Sequence, residues 1–346
     1  LEIGIMLLAA IAFFMQNVPM LITVLFLLGT QASFFGPAKY AIIPQHLEDS
    51  ELIGGNGLVE MGTFVAILVG TIFGGLAIAL PHFAIATIAF TTISLAVLGW
   101  AVSCYIPIAA APDPTQKINW NIVQQSWINI QLARENRSVF LSILGNSWFW
   151  FFGMVFFAQI TNFAKVNLGG NEHIVTLLLV MFSVGIGIGS MLCERLSGHK
   201  VELGLIPFGS LGLTLFGIDL YFANPGIATA HNIGVMAFFV SFSNWRVLTD
   251  LLLLGIFGGF YIVPLYAVIQ QRSAPEHRAR IIAASNILNA LFMVVSSIYA
   301  IILLDIGLTI PQLFLLTALL NAVVAIYIYT RMPEFVLRFK AWIRHR

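Results

Sequence analysis

Apolar runs about as long as a bilayer is thick follow one another along almost the whole of this chain, separated by short polar hinges. A hydrocarbon core of about 30 Å takes around 20 helical residues to cross. Within it every backbone N–H and C=O must be satisfied by the protein itself, so only helices and closed barrels can span. The runs are rich in Leu, Ile, Phe and Ala and lack sustained period-two alternation, which predicts helices and not barrel strands. Ten spans are expected: Glu2–Phe14, Met20–Ile43, Gly57–Leu80, Phe83–Ile108, Val139–Phe163, Ile174–Cys193, Leu203–Phe222, Leu251–Gln270, Ile281–Leu304 and Pro311–Thr330. Charged residues are 9% of the sequence, against about 25% in a soluble domain. The fold class is an all-α, multi-pass membrane protein.

With ten spans both ends lie on one side. The segments on that side carry Lys117, Arg134, Arg137, Arg195, Lys200, Arg272, Arg278, Arg280, Arg331, Arg338, Lys340, Arg344 and Arg346. The other side has Lys165 and Arg246, and Lys39 lies within a span. Basic residues collect on the cytoplasmic face, which places the termini there. Net charge is +1, so bulk electrostatics points to no nucleic-acid partner. Cys104 and Cys193 sit at the ends of spans not adjacent in sequence, and nothing has metal-ligand spacing, so neither a disulfide nor a metal site is expected. The first run is short and has no Met before it, which reads as a chain cut inside or just before a helix, not as a signal peptide.

One internal echo organises the chain. Tyr40-Ala-Ile-Ile-Pro-Gln45 and Tyr266-Ala-Val-Ile-Gln-Gln271 each end a Gly-rich span, each with a proline shortly before (Pro37, Pro264). A polar hinge follows, then a span opening with Asn56-Gly-Leu or Asn286-Ile-Leu. The copies lie six spans apart, which suggests two parallel six-helix halves and hence twelve spans, two more than are present. The expected division is 1–108 as the N-terminal half, 109–138 as a cytoplasmic linker, 139–330 as the C-terminal half and 331–346 as a basic tail. The linker opens Ala111-Pro-Asp-Pro114, a helix-breaking string. Ile118, Ile122, Val123, Trp127 and Ile130 then recur at near-helical spacing, predicting an amphipathic surface helix with Trp120 and Trp127 at headgroup level. On the opposite side, Gly234–Phe242 is apolar but too short to cross; it can be re-entrant, interfacial, or an extension of its neighbour.

A two-half plan with parallel repeats resembles the major facilitator superfamily. The hinge Gly189-Ser-Met-Leu-Cys-Glu194-Arg195-Leu-Ser-Gly198-His199-Lys200 is similar to that superfamily's glycine, acid-Arg, glycine and basic signature, with one residue inserted and His199 in a basic position. The resemblance makes Glu194, Arg195 and Lys200 a conformational-lock hinge. A narrower resemblance is carried by Gln31-Ala-Ser-Phe-Phe-Gly-Pro-Ala-Lys39-Tyr-Ala-Ile-Ile-Pro-Gln45 and Asn56-Gly-Leu-Val-Glu60. These strings look like those of the bacterial lysophospholipid transporter family, with Ala41 for a glycine and Val59 for an isoleucine. The run from Cys193 to Pro207 is similar to the version fused to an acyltransferase and acyl-carrier-protein synthetase. The resemblance covers the third to the twelfth helix, so the first two are expected to be missing. It implies movement of lysophosphatidylethanolamine and lysophosphatidylglycerol from the outer to the inner leaflet for reacylation, in a bacterial inner membrane and without a cofactor.

An ionisable group in a span costs about 2.5–3.5 kcal/mol at its centre, so each is a functional candidate. Lys39 lies roughly 6 Å, four helical residues, inside the cytoplasmic end of its span, and Glu60 lies as deep in the next. They form a structural ion pair, or Lys39 snorkels, or Lys39 contacts a substrate phosphate or coupling ion. Asn56 and Glu60, four apart, share a helix face with Thr63 nearby; Tyr40 and Asn286 complete the substrate-binding and gating candidates. Asn146, Gln159 and Asn162 are expected on roughly one face among Trp148, Trp150 and several Phe, which either wall a cavity or pack against lipid. Gly70, Gly74, Gly75, Gly185, Gly187 and Gly189 suit close helix packing. Asp219 and Asp305 read as interfacial acids. No histidine is followed five positions on by an aspartate, as an acyltransferase would need, and no phosphate-cradling loop occurs, so the chain is not read as an enzyme. A proton-coupled exporter of drugs or small solutes is the alternative, and a membrane anchor for enzyme domains a third reading that Lys39 and Glu60 count against.

Overall fold

The computed structural model describes residues 1–344 apart from 79, 81, 111–113, 115–118, 199, 224–225 and 227–231. Lys117, Ile118, His199, Arg346 and most of the Ala111–Pro114 string therefore lie outside the described residues. The described residues form thirteen α-helices, α1 Glu2–Phe14, α2 Val18–His46, α3 Leu52–Ile78, α4 Ala84–Ser103, α5 Ile122–Glu135, α6 Arg137–Asn162, α7 Glu172–Ser197, α8 Leu205–Ala223, α9 Val235–Phe238, α10 Phe242–Arg272, α11 Pro275–Asp305, α12 Ile310–Arg331 and α13 Glu334–Arg344, with a π-helical turn at Phe163–Asn167 after α6. Each expected span has its helix. Among the described residues nine helices are long and apolar enough to cross a membrane, and α1, with 13 residues, is shorter.

Short polar residues start the helices where the apolar periodicity begins. The Asn17, Asn121, Asn136 and Asn171 side chains accept first-turn backbone N–H groups, satisfying donors that a helix start leaves bare. Thr309 and Gln312 form a reciprocal capping box around Pro311. Gly198 ends α7 with φ of 64°, a left-handed turn that glycine adopts without a Cβ clash. The helices outrun their apolar runs: α10 begins at Phe242 instead of Leu251. Gly234–Phe242 forms the short α9, a turn, and the first residue of α10. Its α9 turn buries Phe238, whose carbonyl accepts from Asn244 Nδ2 at 2.7 Å, and Ile233 donates to the Gly169 carbonyl at 2.8 Å.

Around α10 the core is tight. A Cβ at Gly189 of α7 would lie 2.1 Å from the Ile256 carbonyl oxygen, and one at Gly185 2.3 Å from that of Leu252, so the two backbones touch along a glycine stripe. Gly70, Gly74 and Gly75, by contrast, meet nothing within 4 Å; their expected packing role is not seen. The linker helix α5 begins at Ile122, with Trp120 and Trp127 exposed. It docks on α11 through Arg280, whose Nε donates to Asn129 Oδ1 at 3.0 Å. The tail helix α13 folds back beneath α8, with Phe335 fully buried and the Trp342 indole donating to the Leu196 carbonyl at 3.0 Å.

Candidate functional site

Residues from the two echoed segments meet at the end of the bundle that carries the basic hinges. The Tyr40 and Tyr266 rings stack 4.3 Å apart and 5° from parallel. The second halves of the repeats cross over: Asn56 in the first turns of α3 pairs with Gln270 at the end of α10, while Asn286, about three turns into α11, lies against Gly36 of α2. A Cβ at Gly36 would come 2.7 Å from Asn286 Nδ2, so this glycine admits the close approach.

The chemistry of the α2–α10 contact follows from proline. Pro44 has no N–H to give the Tyr40 carbonyl four residues earlier, so that buried oxygen needs an outside donor. Gln270 Nε2 supplies it at 2.9 Å, while also donating to Asn56 Oδ1 at 3.0 Å; Gln270 Oε1 accepts from Asn56 Nδ2 at 2.5 Å. Gln271 Nε2 donates to Asp49 Oδ2 at 2.9 Å. These hydrogen bonds join α2, α3 and the hinge between them to α10 at the basic end.

Glu60 is fully buried. Its Oε1 accepts from the Tyr40 hydroxyl at 2.5 Å, and its Oε2 has no partner among the described residues. Lys39 does not close directly on this carboxylate: its ammonium lies over the Tyr40 ring, 4.6 Å from the centroid, a cation–π position. The expected Lys39–Glu60 pair is therefore relayed through Tyr40. The sequence spacing placed both groups at equal depth but could not show that the intervening ring would stand between them.

Lys39, Tyr40 and Asn286 line a common cleft of about 340 Å³ with Ser33, Thr63, Trp150, Tyr266, Asn289 and Met293. Asn56 and Glu60 stand behind its wall, buried. Trp150 and Met293 are shared with an adjoining apolar pocket of about 180 Å³, lined by Phe64, Ile67, Phe149, Phe157, Phe182 and Ile186. The buried Trp150 indole N–H lies near the Tyr266 hydroxyl. The polar residues of α6 do not share one face. Asn146 is buried and donates to Ser285 at 3.0 Å, whereas Gln159 and Asn162 bond to each other near the far end. Thirteen residues at 100° each turn Gln159 well away from Asn146. The α6 aromatics pack inward: Trp148, Phe149, Phe151 and Phe152 are all buried. Sequence reasoning offered Trp150 as a cavity wall but missed Gln270; the Gln-Gln for Pro-Gln departure in the echo was the available signal.

Glu194 sets its carboxylate against Gly54 in the first turn of α3, where a Cβ would come within 2.7 Å; a helix start favours negative charge. Arg195 and Lys200 stand apart from it, around a separate concavity shared with Arg338 and Trp342 of the tail, and Lys200 pairs with Glu202 at 3.7 Å.

Crossed helix pairs related by an internal repeat, closed at one end and holding an amphiphilic cleft, define a multi-pass membrane transporter rather than an enzyme. Residues 3–250 match the Major Facilitator Superfamily, and the chain belongs to that superfamily. The lysophospholipid transporter LplT of Escherichia coli O1:K1 is 29% identical over 321 residues, covering 88% of this chain and 72% of that protein; the LplT of strain O139:H28 gives the same identity and coverage. In fold, the chain is similar to the transporter FucP crystallised in the outward conformation, with TM-score 0.67, 14% identity, and 96% of this chain and 80% of that one covered. A bacterial homologue of the iron transporter ferroportin in an outward-facing state gives a TM-score of 0.58, 17% identity, and coverage of 95% and 81%.

Proposed function

We propose that this transporter moves lysophospholipids, lysophosphatidylethanolamine and lysophosphatidylglycerol among them, from the outer to the inner leaflet of a bacterial inner membrane. The observation that carries the reading is the shape of the cleft's chemistry. A polar end offers the Lys39 ammonium and the Asn286 and Asn289 amides to a phosphate and its glycerol oxygens. Across Trp150 and Met293 it passes into a pocket of phenylalanine rings that suits a single acyl chain. A head and one tail are what a lysolipid presents. The similarity to LplT supports the same substrate class.

In this reading residues 1–108 and 139–330 rock as two bodies, with 109–138 as the strap between them and 331–346 as a tail on the cytoplasmic face. Lys39, Tyr40, Asn56, Glu60 and Asn286 bind or gate, and Glu194, Arg195 and Lys200 hold the hinge. The Tyr40–Tyr266 stack and the Gln270 bonds keep the cytoplasmic end shut while the cleft faces outward. Inner-leaflet delivery passes the lysolipid to the acyltransferase and acyl-carrier-protein synthetase partner that the resemblance implies, with membrane lipids as the surrounding solvent. The test is leaflet-resolved uptake of labelled lysophosphatidylethanolamine by proteoliposomes. Lys39→Ala should bring uptake to background with membrane insertion unchanged. Full uptake by that variant removes the head-group site, and no lysolipid uptake by the parent removes the substrate assignment.

A further inference from the structure

At the end of the bundle opposite the gate, α8 and α10 carry a charged cluster that the cleft does not touch. Arg246 grips Asp219 with two prongs: Nε donates to Oδ2 at 3.0 Å and Nη2 donates to Oδ1. One turn deeper on α10, Asp250 is only 2% exposed. Its carboxyl lies within hydrogen-bonding reach of Asp219, and its Oδ2 has no partner among the described residues. Asp219 and Arg246 are the charges that act on Asp250. Of the other charged groups at this end, Lys165 and Glu172 are paired with each other at 3.0 Å. His173 and Asp305 are exposed, and His231 lies outside the described residues.

One guanidinium balances one carboxylate. A second carboxylate against the first, away from water, is a like-charge contact that ionised groups do not sustain. The same contact becomes a hydrogen bond once either oxygen carries a proton, as in other paired acids. A metal ion is a poor occupant, because Arg246 already fills both oxygens of Asp219 and no cluster of three ligating side chains occurs among the described residues.

We propose that Asp250, shared with Asp219 and watched over by Arg246, is a proton-binding site. Asp219 and Arg246 are partly exposed, with side-chain exposures of 39% and 42%, so the proton exchanges with water on that side. When Asp250 gives its proton to that water, two carboxylates compete for one guanidinium, and Arg246, four residues before Asp250 on the same helix face, can turn from Asp219 to Asp250. The α8–α10 tie then changes. Because α10 is one helix of 31 residues with Tyr266 and Gln270 near its other end, the proton acts on the helix that closes the gate. The site is a property of α8 and α10 and does not rest on the lysolipid reading.

Infrared difference spectroscopy on the full chain in nanodiscs reads it directly, through the C=O stretch of a protonated carboxylic acid. A Glu60→Gln background removes the fully buried carboxyl near the gate, and Glu202, the third buried acid, is paired with Lys200. We expect the band at near-neutral pH, its loss on raising the pH, and its loss in Asp250→Asn. Arg246→Gln should retain the band at a pH where the background chain has lost it, a shift that a merely structural arginine would not produce. A band that survives Asp250→Asn, is absent from the background chain, or titrates identically in Arg246→Gln overturns the proposal. The titration of the background chain decides the matter even where a variant does not fold.

Discussion

Replacing Gln270 by leucine keeps its volume and removes its polar end. The side chain is fully buried, and it satisfies two groups that have no substitute in the closed arrangement. One is the Tyr40 carbonyl, left without a helical partner by Pro44; the other is Asn56 Oδ1. Asn56 Nδ2 keeps its bond to the Leu52 carbonyl at 2.8 Å. Stranding a buried polar atom costs about 1–3 kcal/mol, so two of them penalise the closed state by about 2–6 kcal/mol. Opening the basic end lets water reach both, so the penalty falls on one conformation alone. At 1.4 kcal/mol per factor of ten, the ratio of closed to open should fall roughly 30-fold or more. Spin labels at Asp49→Cys and Gln271→Cys, whose native side chains bond across the closure at 2.9 Å, report the opening by pulsed electron resonance in a background with the exposed Cys104 replaced. Gln270→Leu should move the distance distribution to longer values. Distributions that superimpose on those of the parent, in a variant with an unchanged melting temperature, would refute the role assigned to Gln270.

Three further outcomes are expected. Gly189→Ala drives a methyl group to 2.1 Å from a backbone oxygen of α10, and overpacking of this kind costs about 1–3 kcal/mol; an unchanged melting temperature in detergent would mean that the helices separate more easily than their packing implies. Tyr40→Phe leaves buried Glu60 without its hydroxyl partner, at about 1–3 kcal/mol for a stranded buried polar atom. The variant should therefore be less stable than the parent, while Glu60→Gln in the same variant recovers part of the loss. The third concerns Glu334, which Arg272 grips with two hydrogen bonds at 2.7 and 2.9 Å and so holds below the ordinary carboxylate range. A depressed folded-state value means that the pairing stabilises the docked α13 above about pH 4.3, the unfolded glutamate's value, and that this contribution is lost as pH falls through the folded one. Both side chains are partly exposed, so the effect is held to about 1 kcal/mol or less. Hydrogen exchange over 334–344 should rise in acid and lose that dependence in Glu334→Gln; release already complete near pH 6, by about two pH units too early, would contradict the assignment.

What could be read along the chain was the part set by local rules. Spans follow from stretches that only lipid or a core would accept, and asparagines before them mark where the helices start. Depth could be counted too: Lys39 and Glu60 stand at matching distances from a hinge because helical rise is constant. The Tyr-Ala repeat announced two related segments, and the ring stack between its two tyrosines shows them meeting face to face. Face assignments over longer distances were less secure. Asn146 and Gln159 looked alike in type yet lie on different sides of α6, since a small error in angle grows with each turn.

The amino-acid order alone determined that this chain lives in a bilayer, which side its cations favour, and that Lys39 and Glu60 had to be accommodated inside. Only the folded bundle decided how they are accommodated. A lysine was set on a ring instead of an acid, a glutamine more than two hundred residues away answered the carbonyl that Pro44 left bare, and Asp250 was brought to a carboxyl on another helix. Hydrophobic patterning acts through neighbours three or four residues apart and is written locally. The partner of a buried polar atom depends on which helices pack together, and that is settled only when the whole set of contacts forms at once.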